Sequence, residues 1–141
     1  MGRRKVFVAL ALAGVLASAC SSNPSTSSTS GQPITQRPSS PAKLTILSPK
    51  NGAVVHGTDV PVRVRLQGAT IVPASTTHIV PTEGHLHVYI DDQIVAMNFG
   101  TTDVVHDVKP GIHALKVEFV ASDHLPFDPP VISQTEFQVK A

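Results

Sequence analysis

Residues 84–91, Gly84-His85-Leu86-His87-Val88-Tyr89-Ile90-Asp91, decide how the chain is read. Side chains alternate faces along a strand, so Leu86, Val88 and Ile90 turn to one side and His85, His87 and Tyr89 to the other. One face is apolar and suits a core; the other carries two imidazoles. Neutral imidazole is a preferred ligand of zinc and copper, and a His-x-His pair presents two such nitrogens side by side. The same pattern also describes two partly solvated polar rings on the outside of a sheet.

The neighbouring segments repeat the period of two. Val60-Pro61-Val62-Arg63-Val64-Arg65-Leu66 places its aliphatic residues inward and both arginines outward, with Pro61 near the start of the strand, where it is tolerated. Leu44 to Leu47, Thr102 to Val108, Ile112 to Val120 and Val131 to Val139 read as further strands, separated by turn residues such as Pro49, Asn51-Gly52 and Pro110-Gly111. After Asp91, a two-residue turn at Asp92-Gln93 would set Ile90 opposite Val95, Val88 opposite Met97 and Leu86 opposite Phe99. That register puts Met97 on the core side and leaves Asn98 facing His87. Residues 67–83 and 121–130 read as long loops. About seven strands at this spacing indicate an all-β, immunoglobulin-like two-sheet sandwich over residues 43–141. With no Trp and only 4% aromatic residues, its core is built mainly from Val, Ile and Leu.

The first 42 residues have another character. Arg3, Arg4 and Lys5, the apolar run from Val6 to Leu16 and the small residues Ala17-Ser18-Ala19 read as a signal peptide over residues 1–19. Leu16-Ala17-Ser18-Ala19-Cys20 resembles a lipobox, with Ala17 where Leu is usual. The resemblance implies lipidation of Cys20, export and anchoring at the outer face of a cell membrane. An ordinary secretory signal cleaved near Ala19 is the alternative. Residues 20–42, rich in Ser, Thr and Pro, bury too little apolar surface to fold and read as a disordered tether. Its reach is on the order of 25 Å.

Charge and cysteine usage narrow the chemistry. Removing Arg3, Arg4 and Lys5 from the 11 Lys and Arg leaves 8 against 10 Asp and Glu, so no basic face for nucleic acid is expected. Because Cys20 is the only cysteine, the domain has no disulfide and any metal site must use His, carboxylate or main-chain groups. There is no Ser-His-acid order with a nucleophile elbow, no HExxH and no P-loop, so the expectation is a protein that is not an enzyme.

In such a sandwich the loop before residue 85 and the loop at 121–130 lie at one end. His78, His85 and His124 therefore gather there, with His87 one pleat further in. His56, His106 and His113 go to the opposite end. A metal group of His85, His87 and His124 follows, suited to Cu or Zn, with Asp123 or Asp128 able to add an oxygen or orient a ring. His113 opens its strand on the core side, where sandwiches of this kind carry a corner residue bonded to upstream backbone. His56 and His106 read as solvated turn residues.

Ser48-Pro49-Lys50-Asn51-Gly52-Ala53, Gly84-His85-Leu86-His87, Pro110-Gly111-Ile112-His113, Asp123-His124-Leu125-Pro126, Pro129-Pro130-Val131 and Ser133 occur in that order. Together they resemble a family of exported bacterial immunoglobulin-like domains of unknown function. Its members carry Gly-His-x-His, Pro-Gly-x-His and a histidine-bearing loop ending in Pro-Pro-Val. The resemblance implies the sandwich fold and marks His85, His87, His113 and His124, while Leu86 departs from the His-His-His run of some members. It brings no established activity. Two functions are expected: a lipid-anchored module binding Cu or Zn, or a cell-envelope scaffold contacting a protein or glycan without metal.

Overall fold

Alternation along residues 60–66 sorts the chain into two sheets. In this computed structural model, which describes residues 36–141 apart from Ala74 and Phe99, Val60, Val62 and Val64 are buried and Arg63 and Arg65 exposed. The strands are β1 (Lys43–Ser48), β2 (Ala53–His56), β3 (Val60–Gln67), β4 (Thr70–Ile71), β5 (Glu83–Ile90), β6 (Gln93–Asn98), β7 (Thr102–Val105), β8 (Gly111–Ala121) and β9 (Pro126–Lys140). One sheet runs β1-β3-β7; the other runs β2-β9-β8-β5-β4, with β6 also on β5. The described residues contain no helix, and the arrangement is the expected all-β, immunoglobulin-like sandwich. Between the sheets, the β3 valines meet Leu86, Val88 and Ile90 of β5, Leu115, Val117 and Phe119 of β8, and Phe137 and Val139 of β9. Burying each such side chain contributes roughly 1.5–3 kcal/mol, so this face specifies the register of every strand that supplies it.

Two strands beyond the expected seven are short. β2 lies parallel to the end of β9, and β4 lies parallel to the start of β5 through Thr70↔Glu83 and Ile71↔Gly84. Segments of two to four residues are too brief to display a period. The expected loop at 121–130 is mostly strand: Val120 pairs with Pro126, and Phe127 is buried with its ring stacked 5.6 Å from Phe119. Prolines 126, 129 and 130 are compatible with β9 because only its last residues, 137–140, have a ladder partner on the side away from β8.

The β5–β6 hairpin corrects the expected register. Its turn residues are Asp91 and Asp92, both with positive φ (49° and 64°), the requirement of a type I′ turn. Ile90 therefore faces Gln93, and after a bulge at Val88/Tyr89 the pairs are His87↔Met97 and Leu86↔Asn98. Met97 lies on the outer face beside His87, half-exposed, and Asn98 lies on the face of Leu86, the reverse of the sequence expectation. Asp91 is held in the turn by its own carboxylate, which accepts from Ala114 N at 2.9 Å and His113 Nδ1 at 2.7 Å. The partner expected for Leu86, Phe99, lies outside the described residues, as do the expected signal segment 1–19, Cys20 and residues 21–35.

Residues 36–42 belong to the fold rather than to a disordered tether. Pro38 O accepts from Asp128 N at 3.1 Å, and Arg37 bonds to the β8–β9 turn.

Candidate metal centre

On the face of β5 away from the core, His85 pairs with Val120, His87 with Glu118 and Tyr89 with Lys116 of β8. The two imidazoles are not solvated: His85 is 0% and His87 4% exposed. Two segments close over them. The β8–β9 turn folds back through Ala121 N to Leu125 O at 3.0 Å and His124 N to Ala121 O at 2.9 Å, with His124 at φ 65°. The segment after β4 bonds to Gly84 O through Val72 N and to Ser122 O through Thr76 N, carrying Ser75 to the back of the His124 ring. Gly84 makes the close approach of β5 to β8 possible, since a Cβ there would lie 2.0 Å from Val120 O.

Three ring nitrogens converge. His85 Nε2 is 2.9 Å from His124 Nδ1, which is 3.4 Å from His87 Nε2, and each ring offers a ligand atom within 4.8 Å of the others. His124 Nε2 sits 2.8 Å from Ser75 Oγ. A tautomer with Nε2–H donating to Ser75 leaves Nδ1 with a lone pair directed at the other two rings, the arrangement in which an outer partner orients a metal-binding imidazole. Four-coordinate ions bound at about 2.0–2.1 Å hold their nitrogens roughly 3.3–3.4 Å apart. The His87–His124 spacing already matches, and the His85–His124 spacing needs a few tenths of an ångström of opening.

Electrostatics keep His85 and His87 neutral. Burial, then the neighbouring His124 and His87 rings, push His85 down to about 4. Burial and His124 also lower His87, against the opposing pull of Glu118. Neutral imidazoles are the form that binds metal. Glu118, itself 7% exposed, lies across the ladder from His87 and accepts from Tyr89 Oη at 3.1 Å. It places a negative charge beside a cluster that supplies none. Burial and the bond to Glu118 raise the Tyr89 phenol, and Lys116 Nζ lies 4.2 Å over its ring.

Asp123 and Asp128 are not part of the nitrogen group. Both Asp123 oxygens face Arg37, whose Nη2 and Nε also donate to the carbonyl oxygens of Leu125 (3.0 Å) and Pro126 (2.9 Å). Sequence reasoning missed Arg37 because it sits in a polar, proline-rich tract with no periodicity. His78 is exposed and stays outside the cluster, and so do His56 and His106, the latter 3.0 Å from Asp59 at the surface. At the opposite end of the sheet, His113 donates through Nε2 to Lys109 O and through Nδ1 to Asp91, both at 2.7 Å. Two acceptors require both N–H groups, and Asp91 chiefly raises the pKa of this imidazolium.

Comparison with solved structures gives fold likeness only. Fibronectin(III)-like modules of CbhA from Clostridium thermocellum are 18% identical over 69% of this chain and 94% of that one, with a TM-score of 0.47. An engineered protein (15% identity, 71% of this chain, TM-score 0.46) and the endo-β-1,4-mannanase from Thermotoga petrophila (14%, 70%, 0.44) are also similar. The chain spans 20% of the length of each of these two. No protein-family model matches the chain, and no curated protein sequence is similar to it.

Proposed function

We propose that this domain binds a transition-metal ion, copper or zinc, through Nε2 of His85, Nε2 of His87 and Nδ1 of His124. In this reading it buffers or delivers the ion outside the cytoplasm, as an exported module held at the membrane by a lipid on Cys20, and it does not catalyse a reaction. The observation that carries the reading is the convergence of three imidazole rings, His85 and His87 buried and with depressed pKa values and His124 half-buried over them. Neutral nitrogen donors suit Zn²⁺ and both oxidation states of copper, and the Glu118 carboxylate offsets the ion's charge. Titration with Zn²⁺ and Cu²⁺ is expected to give one tight equivalent in the wild type. In His124→Asn, whose new residue tolerates the left-handed backbone, affinity falls more than about tenfold. Binding no tighter than that of a generic surface histidine pair, or binding unchanged in His124→Asn, rules the reading out. For the anchor, Cys20→Ser should release the exported protein into the soluble fraction; retention in the membrane would exclude lipidation.

A second reading, a scaffold module for an envelope protein or glycan, is supported by a cleft of about 580 Å³ at the other end of the sandwich. Ile90, Val95, Ala96, Val105 and Val108 give it an apolar lining, and its size falls within the range of ligand sites. That reading expects partner capture to survive His85→Gln with His87→Gln and to ignore chelators.

A further inference from the structure

Arg37 directs four hydrogen bonds at a turn 86 to 89 residues away in sequence. Its acceptors are both carboxylate oxygens of Asp123 and the carbonyls of Leu125 and Pro126, so they flank His124 on either side. Within the turn, Asp123 Oδ1 also accepts from Leu125 N at 3.2 Å. His124 occupies φ 65°, a region that residues bearing a Cβ rarely adopt, so the turn needs outside support to keep that ring where it is. Only a planar guanidinium offers the several fixed donors that can grip a carboxylate and two carbonyls at once; an ammonium is a single point of attachment.

We infer that Arg37 is a positioning residue of the metal site: by gripping Asp123, Leu125 and Pro126 it holds the His124 imidazole over His85 and His87. The inference rests on the metal-binding reading above and extends it, because it makes the segment that joins the tether to the sandwich part of the centre's construction. Linkage then works both ways. An ion that fixes His124 also favours the docked state of Arg37.

The test compares full-length wild type with Arg37→Gln and Arg37→Lys, using Zn²⁺ competition for affinity and the electron paramagnetic resonance spectrum of bound Cu²⁺ for the ligand set. Arg37→Gln is expected to bind about tenfold more weakly and to show a Cu²⁺ spectrum with weakened coupling to one nitrogen. Arg37→Lys should fall between. Wild-type affinity and an unchanged spectrum in Arg37→Gln, even with a lowered melting temperature, would mean that Arg37 is structural only and would overturn the inference. A wild-type protein that binds neither ion overturns both this and the metal-binding reading, so the two failures are distinguishable.

Discussion

Gly84→Ala is expected to destabilise the domain by about 3 kcal/mol or more. The added Cβ would stand 2.0 Å from Val120 O, 3.0 Å from Val120 C and 3.1 Å from Phe119 Cζ. A flexible side-chain tip can move aside, but a carbonyl in the middle of the β5–β8 ladder cannot. Relief requires the strands to part where Gly84 pairs with Ala121 and His85 with Val120. Loss of metal affinity should follow, since His85 is the next residue. Gly57→Ala makes the control: it has φ +85° but open space around it, so only the backbone preference is lost, roughly 1–2 kcal/mol. Urea unfolding of the two variants measures the contrast. Equal midpoints would contradict the close-approach argument.

Acidification of the metal-free protein is expected to remove on the order of 3 kcal/mol of stability between about pH 6.5 and pH 4. His85 drops to about 4 in the folded chain, so over that interval the unfolded chain binds more protons. The stability associated with neutral His85 is present above 6.5 and lost as pH falls through the folded value. His87 adds to the effect with the same sign. His113 acts in the opposite direction. Its pKa is raised by Asp91, so its contribution is complete below about 6.5 and fades as pH climbs through the folded value. Asp91, lowered by the same contact, preserves its share until pH falls through its own folded value. Unfolding free energies of wild type and His85→Gln at pH 7, 5.5 and 4 separate His85 from the carboxylates that titrate nearby. Identical pH profiles for the two proteins would contradict the assignment.

Much of this was legible in the sequence where burial enforces a strict period. Residues 60–66 and 85–90 announced their core faces, and the end-sorting of loops in an immunoglobulin-like sandwich nominated His85, His87 and His124, which do converge. Other features had no periodic trace. The hairpin turns at Asp91-Asp92 rather than Asp92-Gln93, a shift that by itself keeps each side chain on its face; the bulge at Val88/Tyr89, which adds one residue on the β6 side, is what moves Met97 and Asn98 to the faces opposite those expected. β2 and β4 are defined by parallel pairing with distant residues, and Phe127 joins the core from a segment whose prolines suggested a loop. The burial of the imidazoles depends on contacts of Ser75, Thr76 and His124 that span dozens of residues, as the grip of Arg37 does. The signal peptide and the lipidated cysteine rest on the sequence pattern alone.

X-ray absorption at the zinc edge, on protein loaded with one equivalent of Zn²⁺, interrogates the three-imidazole centre most directly. The spectrum should contain three imidazole nitrogens at about 2.0–2.1 Å, and one of them should disappear in His124→Asn. A first shell made of oxygen alone, or a spectrum that His124→Asn leaves untouched, would contradict a metal centre built from His85, His87 and His124.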